Sequence, residues 1–184
     1  KLDLLVKSRF VEMFGNIENM CTIADVCSII TDGTHQPPKF TTDGIPFLFV
    51  SNIATNEIVY NAEKFISEET YNNMMENMHL IGNEENYKWL MESKRQLKEG
   101  MLQRHIAYLK PIPTTINSIY LHRAILSDNV QRQIDERVKG IAQKTLNLSE
   151  IRKIVIPAPP LELQTQFANF VKQVDQSKSI LQQE

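Results

Sequence analysis

The sequence predicts an α+β fold: a compact mixed β-sheet domain with peripheral helices, flanked at both ends by long coiled-coil helices. Three observations carry this expectation. Short runs of branched and aromatic residues, such as Ile45 to Val50, sit between turn formers. Longer stretches that gather apolar residues on one broad face alternate with them. At each end of the chain, apolar residues recur at helical spacing. With 184 residues, 42% of them hydrophobic, the chain can bury one full domain core and carry helical arms besides.

The elements follow in order. Leu2, Leu5, Val6, Phe10 and Met13 keep helical spacing, and Gly15-Asn16 supplies a stop signal. No capping residue precedes them, so the chain is expected to begin inside a helix. Ile45 to Val50 and Ile58 to Tyr60, bounded by Asp43-Gly44 and Thr55-Asn56, read as strands. Glu68 to Met78 and Asn117 to Lys139 read as helices, the second with Ile119, Ala124, Leu126, Val130, Ile134 and Val138 along one face. Leu146 to Ile156 returns to a strand, in Ile151, Ile154, Val155 and Ile156. Pro157-Ala158-Pro159-Pro160 then breaks the structure. Beyond it Leu163, Phe167, Phe170, Val174 and Leu181 follow at steps of four, three, four and seven, with Ser177 at the weak position. That spacing makes a coiled-coil seam, and such a helix needs a partner helix.

Composition removes several classes of function. No run approaches the roughly 18 to 20 apolar residues that span a bilayer, and KLDLLVKSRF is not a signal peptide. A soluble, cytoplasmic protein is expected. Cys21 and Cys27 are too few for a secreted disulfide framework and lack the short spacing of a zinc pair, so they read as buried free thiols. With 20 Lys and Arg against 22 Asp and Glu, the chain has no global basic excess. Any nucleic-acid contact must come from a local patch. The stretch from Tyr87 to Arg104 offers one, with Lys88, Lys94, Arg95, Lys98 and Arg104 outnumbering Glu92 and Glu99; taken alone it reads rather as a solvated helix face.

Catalytic patterns are absent from the sequence. Six glycines form no clustered phosphate loop, and no Asn/Asp-Pro-Pro-Tyr string of an amino-methyltransferase occurs. Glu92-Ser93-Lys94 matches half of a common nuclease site but has no Pro-Asp partner. His35, His79, His105 and His122 keep no metal-ligand spacing with one another or with the cysteines. No catalytic residue, metal or cofactor is expected.

One polar string stands out. In Ile30-Thr31-Asp32-Gly33-Thr34-His35-Gln36-Pro37-Pro38-Lys39-Phe40 a strand ends and a turn-rich loop follows, presenting donors and acceptors suited to base edges and phosphates. Residue types alone favour an ordinary surface loop.

The string TDGTHQPPKFTTDGIPFLFVSNI, followed by KFISEETY, resembles the opening of a target-recognition domain in the specificity subunit of a type I restriction-modification system. Gln103 to Pro111 is similar to that family's later strand, and QKTLNL with IPAPPLELQTQFANF is similar to the exit into its spacer helix. The matches cover most of the chain in the family's order. One window departs from the pattern: where the family places a strand and a glycine-containing loop, ENMHLIGNEENYKWLMESKRQLKEGM reads as helix. Either the domain has diverged there, or Asn83 to Gly100 joins two segments across a gap.

The resemblance implies the end of a spacer helix over residues 1–15, a DNA target-recognition domain over 16–158 and the start of a coiled-coil spacer helix over 159–184. A full subunit of the family has two recognition domains, so the chain is expected to be a fragment or half-subunit. The resemblance further implies a non-catalytic role. Methylation of adenine from S-adenosylmethionine belongs to separate methyltransferase subunits, and cleavage to a restriction subunit. Thr34, His35, Gln36 and Asn52 are the expected base readers, and Lys39, Lys64, Lys94, Arg95 and Arg104 the expected phosphate contacts. Leu163, Phe167, Phe170, Val174, Leu5 and Phe10 are the expected partner-binding residues, toward the methyltransferases and toward a second recognition domain or a twin chain. Two other classes stay open. The chain is alternatively a coiled-coil interaction module that does not read DNA, or the recognition part of a fused restriction enzyme.

Overall fold

The computed structural model describes residues 2–32, 38–52, 61–77, 101–102, 107–138 and 146–181. In chain order these form α1 (Leu2–Phe14), β1 (Met20–Thr22), α2 (Ile23–Val26), β2 (Cys27–Asp32), β3 (Ile45–Leu48), a 3-10 turn (Val50–Asn52), β4 (Phe65–Ile66) and α3 (Glu68–Asn77). There follow β5 (Met101–Leu102), β6 (Ala107–Pro111), α4 (Ser118–Ile125), α5 (Asp128–Arg137), α6 (Leu148–Ile151), β7 (Val155–Pro157) and α7 (Leu161–Leu181). This is the mixed α+β composition that the sequence predicts. The chain divides into two compact units, one of residues 1–30 and 109–184, the other of residues 31–108. Strand β2 pairs with β6, and the chain passes out of the first unit along β2 and back into it along β6.

The first unit is built around aromatic rings. Phe10 and Phe14 of α1, Tyr120 of α4 and Phe167 of α7 lie with ring centroids 4.8 to 6.5 Å apart, mostly edge to face. Edge-to-face packing sets the positive ring edge against the negative face of its neighbour. Tyr120 is fully buried, and its hydroxyl donates to the carbonyl of Pro157 at 2.8 Å, so the one polar atom in this cluster is satisfied. Val6, Ile23, Val26, Val130, Ile154, Ile156 and Val171 complete the core. Both terminal helices therefore share a core with residues from the middle of the chain.

Strand β1 pairs antiparallel with β7, Cys21 opposite Ile156. The other edge of β7 is closed by a side chain: the Gln133 amide of α5 donates to the carbonyl of Val155 at 2.8 Å and accepts from its N–H at 2.9 Å. A primary amide in this position reproduces the pairing of a neighbouring strand and blunts an open edge.

Two expected elements come out differently. The helix expected over Asn117 to Lys139 is broken at Leu126–Ser127, and Lys139 lies outside the described residues. Ser127 is extended (φ −68°, ψ 150°), which interrupts the helix ahead of α5, and its hydroxyl donates back to the carbonyl of Ala124 in α4 at 2.6 Å. A hydroxyl competing for backbone groups is why serine favours helix ends. The strand expected over Leu146 to Ile156 shortens to Val155–Pro157. Ile151 is instead buried from a helical turn that starts at Asn147, and Ile154 from the bend between that turn and the strand, where spacing of three serves better than in a strand.

Burial, with a smaller effect of Cys21, pushes the Cys27 thiol up from 9.0 to about 11. The folded chain then holds this proton more tightly than the unfolded chain does. The associated stability is complete below about pH 9 and is lost as the pH rises through about 11. Burial pushes the Tyr120 phenol in the same direction. The urea midpoint is expected to fall between pH 8 and pH 11, and Cys27→Ala to flatten part of that fall. A decline of equal size in both proteins would assign the alkaline loss to other groups.

In the second unit, β3 is the middle strand of three, antiparallel to β4 and parallel to β5. Phe47, Ile66 and Tyr71 form its buried centre, with Phe40, Ile45, Phe49 and Met74 packed against them. The turn expected at Asp43-Gly44 is present. Gly44 has φ of +122°, and a Cβ there would meet the carbonyl oxygen of Ile66 at 2.6 Å, so only glycine fits.

Candidate nucleic-acid interface

Residues 39–41 run beside 64–65 because of backbone pairing. The Thr41 N–H donates to the carbonyl of Phe65 at 2.9 Å, and the Phe47 N–H to the carbonyl of Lys64 at 2.8 Å. This brings two of the expected phosphate contacts, Lys39 and Lys64, onto neighbouring segments, both exposed. The Lys64 ammonium lies 5.5 Å from the centroid of the Phe40 ring, a cation–π distance. Phe40 in turn packs edge to face on Phe47 at 5.3 Å, and Phe47 on Phe49 at 5.3 Å. A ring anchored in this core thus stands under a surface cation. Asp43, Glu63, Glu68 and Glu69 are exposed on the same unit, so the basic character is local to the two lysines.

Asn52, an expected base reader, is half-buried and braces the turn after β3. Its side-chain oxygen accepts the Phe49 N–H at 2.9 Å, and its amide donates to the carbonyl of Asn61 at 3.5 Å. Thr34, His35, Gln36, Lys94, Arg95 and Arg104 lie outside the described residues. So do the strand expected at Ile58 to Tyr60, residues 78–100 of the helix expected across Glu76 to Met101, and Gln103 to Ile106; Met101 itself lies in strand β5 rather than in a helix.

The residues expected to bind partners fall in the first unit. Phe10, Phe167 and Val174 are buried in its core, Leu163 and Phe170 are half-buried at its margin, and Leu5 is 47% exposed. The helix that α7 needs is found within the chain. Asp3 of α1 meets Lys178 of α7, Arg9 lies 6.0 Å over the ring of Phe170, and Phe14 lies 5.3 Å from Phe167. Positions rise along α1 as they fall along α7, so the two helices run antiparallel. Lys178 also pairs with Asp175, and its hydrogen bond to Asp3 holds that carboxyl below the usual carboxylate range. At the outer end of the pair, Leu4, Ile180 and Leu181 remain exposed.

The buried stripe of α7 is Gln164, Phe167, Ala168, Val171 and Val174. It is rotated from the apolar seam read in the sequence, because Gln164 occupies a core position and Leu163 does not. Apolar periodicity passes over such a residue. Its only sequence signal is its phase, three residues before Phe167 and seven before Val171.

Among the described residues no group of three or more His, Cys, Asp and Glu could hold a metal ion. No described helix is long and apolar enough to cross a membrane. Two exposed lysines beside an aromatic core in the second unit, and α1 packed along α7 in the first, are consistent with a binding module. The particular kind follows from comparison with known families. A family model of the type I restriction modification DNA specificity domain matches residues 17–184, nearly the whole chain, and the chain belongs to that family. It is thus a DNA-recognition domain of a type I restriction-modification system, and a specificity domain recognises DNA without itself carrying out catalysis. No curated protein matches the chain.

Proposed function

We propose that the chain reads one block of a two-block DNA target while its helices serve as the spacer and as the seat of the methyltransferase and restriction subunits. The antiparallel packing of α1 along α7 is the observation that carries this reading. Thirteen residues of α1, about 20 Å of helix, lie against α7, and this is the form a spacer between two recognition domains requires. In the second unit, Lys39 and Lys64 set the register by binding phosphates, joined by Lys94, Arg95 and Arg104. Thr34, His35 and Gln36 meet base edges, while the Asn52 amide, engaged in its own turn, holds that turn in place. Chemistry at the base belongs to the methyltransferase subunits, which use S-adenosylmethionine.

The test is selection of duplexes from a random pool by the reconstituted complex. The expected result is two short fixed blocks separated by unread base pairs; a single continuous block would remove the two-block reading. Readout and anchoring separate by mutation. Lys39→Ala and Lys64→Ala are each expected to weaken binding to all sequences alike and to make the salt dependence shallower by about one contact. His35→Ala or Gln36→Ala is expected to cost roughly 1 to 3 kcal/mol on the selected site only, relaxing its specificity. Equal losses for all four variants on selected and random duplexes would leave the loop without a reading role.

A further inference from the structure

We infer that Gln164 is the positioning residue that fixes the direction of α7 within the first unit, and through it the spacing of the target. This inference rests on the two-block reading above. Gln164 is 2% exposed and, the tyrosines aside, is the one buried polar side chain among the described residues. Its side-chain oxygen accepts the N–H of Asn117 at 2.8 Å. Its amide nitrogen donates to the carbonyls of Pro159 at 2.8 Å and Thr115 at 3.3 Å. Both amide hydrogens and the carbonyl oxygen are therefore used.

All three partners are backbone groups, and they come from two segments. Pro159 belongs to the stretch that leads into α7, while Thr115 and Asn117 lead into α4. Asn117 is itself the cap of α4: its side chain accepts the N–H groups of Ile119 and Tyr120 at 2.9 and 3.2 Å. One amide thus joins the first turn of α7 to the first turn of α4.

The direction of these bonds matters more than their number. Phe167, Val171 and Val174 hold α7 against the core through apolar contact, which is non-directional and tolerates a small tilt. Hydrogen bonds weaken steeply as they bend, so three of them converging on one amide select a single orientation. The lever is long. Over the 21 residues of α7, about 32 Å, a tilt of roughly 10° moves the far end by about 5 Å, more than the rise of one base pair at about 3.4 Å.

The test uses the reconstituted complex and a pool in which the two selected blocks are separated by gaps of varied length. Wild type is expected to prefer one gap. Gln164→Leu keeps the volume and removes all three bonds. It is expected to lower the preference for the native gap over its neighbours by about tenfold, as the loss of one or two net hydrogen bonds allows. Gln164→Glu keeps the acceptor and loses the donors, and is expected to fall between; it carries the test if the leucine variant does not fold by circular dichroism. Val171→Ala is the control, expected to lower the melting temperature while keeping the gap preference. The inference is overturned if both Gln164 variants keep the wild-type preference, or if Val171→Ala loses as much, since the amide would then serve stability alone. A wild type that selects one continuous block overturns the two-block reading and this inference together; a wild type with one preferred gap and unchanged variants overturns only the inference.

Discussion

Phe167→Ala is expected to destabilise the chain by about 3 to 5 kcal/mol, the cost of emptying a fully buried aromatic site. Phe167 touches Phe10, Phe14 and Tyr120, so the cavity opens where α1, α4 and α7 meet. For a chain of this size the melting temperature should drop on the order of 10 °C. Ion pairs on the same helices cannot match this. Lys7–Asp128, at 2.6 Å, joins two side chains that are 50% and 74% exposed, and such pairs contribute about 1 kcal/mol at most. Asp128→Asn is accordingly expected to move the melting temperature by a few degrees at most. Differential scanning calorimetry of the two variants separates the cases, and equal shifts would mean that the aromatic cluster does not anchor the helices.

The periodicity of Leu2, Val6 and Phe10 was enough to place α1, because there the burial pattern and the local propensity agree; the helix read at Glu68 to Met78 is present over Glu68–Asn77, with Met78 outside the described residues. The turn at Gly44 was legible for a similar reason: a positive φ leaves glycine little competition. What could not be read was every place where a polar side chain does the work of the backbone. Ser127 divides a stretch whose apolar face runs on unbroken, Gln133 acts as the missing neighbour of β7, and Gln164 sits inside the core. Each depends on a carbonyl or N–H that only the tertiary fold brings within reach. The same limit applies to the site. Lys39 and Lys64 are 25 positions apart, and their proximity arises from the bridge between Thr41 and Phe65, which no local pattern announces. Asn52 has the right chemistry for reading a base, yet the fold already engages that amide in its own turn.

The pairing of α1 with α7 makes the largest functional prediction, a change in the target itself. Seven residues inserted into α7 after Lys178, with seven inserted ahead of Leu2 to extend the antiparallel partner, lengthen the pair beyond its Asp3 contact. The added helix is about 10 Å at 1.5 Å per residue. With a base pair rising about 3.4 Å, the unread gap should lengthen by about three base pairs while both blocks keep their sequences. Seven is the informative number because it returns the apolar stripe almost in phase. An insertion of two turns everything beyond it by roughly half a turn relative to the buried stripe ahead of it, takes the added helix out of phase with its partner, and should abolish assembly. Duplex selection by the extended complex measures the gap directly. An extended pair that assembles normally, as judged by sedimentation, yet still selects the original gap would show that helix length does not set the spacing, and would leave α1 and α7 only as a seat for the other subunits.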